Sequence, residues 1–227
     1  MTPSAPTPPT ESPYVREPGY AERYRDRRFH TGSGPRTHAR ETAAIAALLR
    51  RAEVGDGAWL DVPSGAGRLS DACPQPVVQV DRDVSMLRAC PAAAGRRRVC
   101  ASALRLPFGD GTFAGVLCVR LLQHIAPAGE RVALLRELAR VSRGPVLLSY
   151  FDAASLQHWR RQARRALGKT RSGRCAVRWS RLVAELKVAG LRPIVRRPLR
   201  RWISEQTLVL AVPAHHRAAP LGSTRPV

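Results

Sequence analysis

The stretch Ala58-Trp-Leu-Asp-Val-Pro-Ser-Gly-Ala-Gly-Arg-Leu69, followed by Val77-Val-Gln-Val-Asp81, decides the fold. A short apolar strand runs into a glycine-containing turn. A helix follows, and then a second apolar strand ends in a carboxylate. In a parallel α/β sheet this succession brings the turn and the acid side by side at the carboxyl edge of the strands, where ligands bind. Gly65 and Gly67 carry no Cβ, so the backbone there can approach a ligand closely. Asp81, ionised at neutral pH, can accept two hydrogen bonds from a vicinal diol such as a ribose. These residues suit an adenosine-containing cofactor.

Two common nucleotide-binding turns are absent. The dinucleotide fingerprint G-x-G-x-x-G lacks its third glycine here, which disfavours a nicotinamide enzyme, and no G-x-x-x-x-G-K-[ST] string occurs. The turn resembles motif I of the class I S-adenosylmethionine-dependent methyltransferases, D-x-G-x-G-x-G, read here as Asp61-Val-Pro-Ser-Gly-Ala-Gly67. Pro63 stands at the first glycine, and because proline fixes φ at about −65° the backbone there must be conventional. Ser102-Ala-Leu-Arg-Leu-Pro-Phe-Gly-Asp-Gly-Thr-Phe-Ala114 is similar to the family's D-A-x-x-L-P-F-x-D-x-x-F-D, with Ser102 and Ala114 in place of two aspartates. Val116-Leu-Cys-Val119, Leu121-Leu-Gln-His-Ile125 and Leu134-Leu-Arg-Glu-Leu-Ala-Arg-Val141 follow in the family's order. The likeness covers about residues 40–150.

What the resemblance implies is an α/β fold: a Rossmann-like, doubly wound, seven-stranded sheet, mostly parallel with an antiparallel final strand. It implies S-adenosylmethionine as cofactor, held by Asp61, Gly65, Gly67 and Asp81, with Pro63, Arg82 and Val119 beside them. Ser102 falls where an aspartate commonly meets the adenine amino group, and Ala103 offers backbone only.

The 227 residues suffice for one sizeable α/β domain with extensions, here a domain over 39–212 preceded by a basic arm or lid at 14–38. Residues 1–13, rich in Pro, Ser and Thr, and the tail 213–227 cannot bury a core and are expected to be disordered. No apolar run approaches the roughly 20 residues of a membrane span, and no signal-peptide apolar region opens the chain, so a cytoplasmic protein is expected. Cys73, Cys90, Cys100, Cys118 and Cys175 form no C-x-x-C pair and no metal-ligand spacing, so no metal is expected and the thiols read as buried and reduced.

The net charge is +21, and only Lys169 and Lys187 among the 38 basic residues are lysine. Residues 152–205 hold 15 basic residues against Asp152, Glu185 and Glu205, a local net of +12. Such a field attracts anionic partners, a nucleic acid or an anionic lipid surface among them. The arm mixes Tyr14, Tyr20, Tyr24, Phe29, His30 and His38 with arginines.

Periodicity places helices at 39–52, 67–73, around Met86 and Leu87, 128–142, 153–167 and 178–188. Strands are expected near 58–62, 77–81, 97–101, 114–119 and 145–150, with an antiparallel pair near 191–197 and 206–212. The 153–167 helix carries Leu156, Trp159, Ala163 and Leu167 on one face. That face reads as a core stripe beneath a cationic face of Arg160, Arg161, Arg164 and Arg165.

Methyl transfer from a sulfonium is an in-line displacement, so alignment and exclusion of water dominate and no metal or covalent nucleophile is required. His124, just past strand four, is a candidate base, and Tyr150 and Asp152 end strand five on the ligand edge. Arg120 is placed to orient an anionic acceptor or to pair with a carboxylate. After strand four the chain reads Val119-Arg-Leu-Leu, not [ND]-P-P-[YF], which disfavours the adenine- and glutamine-N-methylating group. Cys118 follows Leu117 and not a proline, which disfavours cytosine-C5 chemistry. The expected activity is therefore methylation of a small acceptor, anionic or lipid-linked acceptors included, as in the quinone-type group. The alternatives are an RNA methyltransferase using the basic 152–205 region, and a non-catalytic cofactor- or RNA-binding module.

Overall fold

The computed structural model describes residues 19–27, 31–32, 34–52, 54–168 and 173–214. The expected tail at 1–13, residues Tyr14, Phe29 and His30 of the arm, and 215–227 lie outside them.

Seven strands form one sheet. β1 (Trp59–Asp61) sits between β2 (Val77–Asp81) and β4 (Gly115–Cys118), parallel to both. β3 (Arg96–Cys100) extends the sheet beyond β2, and β5 (Val146–Phe151) beyond β4, again in parallel. β7 (Gln206–Pro213) inserts antiparallel between β5 and β6 (Leu191–Pro198), giving the order β3-β2-β1-β4-β5-β7-β6. This is the mostly parallel sheet with an antiparallel final strand that the resemblance implies. Strand order reverses between β1 and β4, and at such a switch point the loops on either side diverge and leave a crevice at the carboxyl edge.

The period-2 alternation of strand side chains divides the core into two layers. Leu60, Val80, Val116 and Leu148 face α4 (Ala128–Val141) and α6 (Trp179–Val188), which contribute Leu134, Leu138, Leu182 and Leu186. Trp59, Val77, Leu117, Leu147 and Leu208 face the opposite way, onto Ile45, Leu48 and Leu49 of α2 (Gly34–Leu49). Every residue of β5 and β7 is buried, as central strands covered on both faces require.

Three elements depart from expectation. α2 begins at Gly34 and not near residue 39, because Pro35 falls in the first turn, where its missing N–H costs nothing. The expected helix at 67–73 is only a 3-10 turn, Ser70–Ala72, cut short by Pro74. The largest departure is α5 (Leu156–Ala166), none of whose 11 residues is buried. Its inner side is the polar one, with half-buried His158 and Arg161, and its apolar stripe points outward.

Of the thiols, Cys73, Cys90 and Cys118 are buried, Cys175 is half-buried and Cys100 is exposed. No helix among the described residues is long and apolar enough to cross a membrane.

Candidate active site

The turn between β1 and β2 is built around Asp81. Its Oδ2 accepts the Gly65 N–H at 2.8 Å and its Oδ1 accepts the Asp83 N–H at 2.9 Å. A carboxylate offers about four acceptor positions, so capacity for two further donors remains. Asp81 is 8% exposed. Burial raises its pKa, against the lowering effect of the two backbone N–H groups.

The two glycines serve different ends. Gly65 has φ +54° and nothing within 4 Å of where a Cβ would stand, so the space over it is open. Gly67 has φ +76°, but a Cβ there would lie 2.8 Å from Gln79 Nε2 and 3.2 Å from Cys90 Sγ. Gly65 faces outward, whereas Gly67 is required by packing beneath the turn. Pro63, whose peptide bond with Val62 is cis, is half-buried beside them.

Asp61 lies under the turn, not on its surface. Its Oδ2 accepts the Ser70 hydroxyl at 2.6 Å, and Ser70 Oγ in turn accepts Gln79 Nε2 at 2.7 Å. Burial pushes its pKa up to about 7, against the Ser70 bond, and the neighbouring Asp81 adds to the rise.

Ser102 stands exposed just past β3, its hydroxyl accepting the Leu104 N–H at 3.3 Å. Ala103 is half-buried against the core, Arg82 is exposed after Asp81, and Val119 is buried at the end of β4.

A group that sequence reasoning missed joins this turn to the far side of the crevice. Glu41 of α2 is fully buried; its Oε2 pairs with Arg68 Nη2 at 2.7 Å and its Oε1 with Arg120 Nε at 2.7 Å. Gln206 Nε2 also donates to it. Burial alone would raise the Glu41 pKa, but Arg120 and then Arg68 outweigh it and hold the carboxyl below its usual range. Arg120 itself has φ +66°, unusual for a residue with a Cβ. Its N–H donates to Ser149 Oγ at 2.8 Å. Glu41 was hard to find because an acid on a basic amphipathic helix ordinarily belongs to the solvent face.

Beyond Arg120 the carboxyl edge holds a cavity of about 300 Å³, with Arg40, Arg120, Phe151, Arg174, Arg200 and Glu205 among its walls. Arg40 and Arg200 form no ion pair among the described residues. Glu205 is buried; its Oε2 lies 3.1 Å from Arg161 Nη1, while its Oε1 has no hydrogen-bond partner among the described residues. Burial raises the Glu205 pKa, against Arg161 and Arg174.

The sequence-predicted catalytic residues are placed elsewhere. Tyr150 is fully buried with its hydroxyl accepting Arg196 Nε at 3.1 Å, and burial drives its pKa well above the usual phenol range. Asp152 is buried, pairs with the same Arg196, and accepts the Ala154 N–H at 3.0 Å. His124 is exposed at the end of the 3-10 turn Leu122–His124. None of the three lines the cavity.

A family described as methyltransferase domain matches residues 60–146. No match is found among curated proteins. Among solved structures, the magnesium protoporphyrin IX methyltransferase of Synechocystis PCC 6803, with bound SAH, is 17% identical with a TM-score of 0.69, over 85% of this chain and 93% of that one. An S-adenosylmethionine-dependent methyltransferase of Clostridium acetobutylicum is 12% identical with a TM-score of 0.60, over 85% and 97%. Another from Methanosarcina mazei is 17% identical with a TM-score of 0.57, over 73% and 95%. At these identities the structural likeness speaks for the fold.

Proposed function

From the premise that this chain carries a class I S-adenosylmethionine-dependent methyltransferase domain, we propose that it methylates a small acceptor bearing an anionic group, bound in the arginine-lined cavity. The carrying observation is the composition of that cavity. Four arginines and one buried carboxylate, Glu205, line it at the sheet edge that also holds Asp81 and Gly65.

The turn fits the cofactor. Asp81 keeps spare acceptor capacity for a ribose diol, and the open space over Gly65 lets a ligand reach the backbone. Pro63 and Arg82 flank that surface, and Ser102 and Ala103, just past the neighbouring β3, are the residues we assign to the adenine side. Asp61 and Gly67 support the turn from beneath, and Val119 is buried just past β4. Helix α1 (Tyr20–Arg27) buries Ala21 against Ala66 of the turn and Ala89, which supports reading the 14–38 arm as a lid. When bound, S-adenosylmethionine supplies an electrophilic methyl group on a sulfonium.

The chain's own work is then to orient the acceptor and to manage one proton. Arg40 and Arg200 are placed to hold a carboxylate or phosphate, with Arg174 beside them. Glu205 Oε1 is the acceptor we assign for the proton of the reacting hydroxyl or amine, since burial favours its taking one up. Arg68–Glu41–Arg120 fixes the turn and the cavity wall relative to each other.

The test is a methyl-transfer assay over matched acceptors with and without a carboxylate or phosphate. Turnover should be confined to the anionic members, and Arg200→Ala should raise KM for them. Glu205→Gln should lower kcat about 100-fold and remove the acidic limb of its pH profile while leaving cofactor affinity unchanged. Turnover of neutral acceptors at equal kcat/KM would overturn the reading.

A further inference from the structure

The outward apolar face of α5 has no partner among the described residues, and its surroundings state what kind of partner it suits. Trp159 is 66% exposed and Leu167, just past the helix end, 67%; Leu156 is exposed on the same face. The β6–β7 turn lies alongside, presenting Trp202 at 74% exposure together with Ile203. Trp202 has φ +64°, a left-handed conformation unfavourable for a bulky residue that persists only where the surroundings enforce it.

The helix and the turn are locked together. Leu156 N–H donates to Trp202 O at 3.0 Å and Gln157 N–H to Ile203 O at 3.0 Å, while Arg161 pairs with Glu205 beneath. They form one surface whose apolar residues are bordered by Arg160, Arg164, Arg200 and Arg201, all exposed. Arg201 stacks over the Trp202 ring, 5.3 Å from its centroid. No exposed acid occurs in either element, and the three acids of residues 152–205 are all buried in ion pairs.

We propose that this face docks on an anionic lipid bilayer, with Trp159, Trp202, Leu156, Leu167 and Ile203 entering the headgroup boundary and the flanking arginines meeting lipid phosphates. Tryptophan and arginine bordering an aliphatic stripe is the composition of an interfacial helix. A symmetric contact with a second copy would set this cationic rim against its own like charge. A nucleic acid would stack on the two indoles and pair with the arginines, but would give Leu156, Leu167 and Ile203 nothing to be buried in. The surface reading goes beyond the acceptor reading and does not depend on it. Gln157, Arg200 and Ile203 also line the cavity, so docking would set its mouth at the membrane surface.

The experiment is flotation of the full chain with unilamellar vesicles of phosphatidylcholine alone and with about 30% phosphatidylglycerol. Binding is expected to the anionic vesicles, with a blue shift of indole fluorescence. Trp159→Ala/Trp202→Ala should weaken it about tenfold or more at an unchanged melting temperature, since both rings are exposed. Arg160→Glu/Arg164→Glu should weaken it independently. Three outcomes would overturn the proposal: vesicle binding untouched by the double tryptophan variant, indole quenching by a single-stranded oligonucleotide without vesicle binding, or a dimer in solution that the tryptophan variant dissociates.

Discussion

Gly65 and Gly67 share a motif and a left-handed backbone, yet replacing each by alanine should fail in a different way. At Gly67 the new methyl meets Gln79 and Cys90 in a packed layer, so Gly67→Ala should destabilise by about 2 kcal/mol, read as a lower urea midpoint. At Gly65 only the backbone conformation is strained, so the cost should be about 1 kcal/mol. There the methyl instead enters the open space over the turn, and calorimetric affinity for S-adenosylmethionine should fall about tenfold or more. Asp61 makes a second residue-scale case. With a folded pKa of about 7 against an ordinary carboxylate value when unfolded, the native state holds a proton that the unfolded chain has already released. Stability should therefore fall as pH rises from about 4 to about 7 and then level off. Asp61→Asn, which still accepts the Ser70 hydroxyl, should match the wild type near pH 4 and exceed it by about 2–4 kcal/mol above pH 7. Parallel melting curves across that range would show the carboxyl to be ionised throughout. The juxtaposition of Gly65 and Asp81 was legible in the sequence because strand, turn and strand fix their neighbourhood locally. The burial of Asp61 was not, since it depends on Ser70 and Gln79, which the chain brings in from the next two elements.

Helices show what amphipathic patterning does and does not determine. For α2 the apolar face was legible and packs as expected on Trp59 and Leu117. What fastens its other side is Glu41, whose two arginine partners lie 27 and 79 residues further along the chain. Glu41→Gln leaves Arg68 and Arg120 facing a neutral amide in a largely buried site and should cost about 2–4 kcal/mol in denaturant unfolding at neutral pH. Because the Glu41 pKa is depressed, its contribution is present above the unfolded carboxylate value and lost as pH falls through the lower folded one. Variant and wild type should therefore converge in acid. For α5 the period was equally clear and the inference drawn from it was wrong. An apolar stripe tells that one face differs from the other, not which face meets the body. Here Arg161, pairing with Glu205 and lying 5.7 Å from the Phe151 ring centroid, turns the polar face inward. The cavity was hidden because its walls come from α2 (Arg40), the segment before α6 (Arg174) and the β6–β7 turn (Arg200 and Glu205), which carry no common spacing.

For the whole molecule, charge and fold are set against each other. The mostly parallel seven-stranded sheet with an antiparallel final strand was legible through the motif resemblance, whereas the insertion of β7 between β5 and β6 depends on long-range pairing that no local pattern records. The net charge of +21 reads as a sum, and the structure shows how unevenly it is spent. Arg131 meets Glu185 through two hydrogen bonds between α4 and α6, at 2.9 and 2.5 Å, and Arg196 holds Asp152 at the end of β5. Arginines are thus drawn into the interior with the few acids available, while the outer surface of residues 152–205 keeps arginine with no exposed acid to balance it. Self-repulsion on such a surface opposes the compact state and is screened by salt, whereas the buried pairs are screened far less. The melting temperature should therefore rise as sodium chloride increases from about 0.05 to about 0.5 M, where the Debye length shrinks below the spacing of neighbouring surface arginines. A melting temperature that fell instead would mean that exposed ion pairs contribute more than repulsion removes. In that case the Arg140 pairs with Asp110 and Glu137, the first with an exposed partner, would be the ones to dissect.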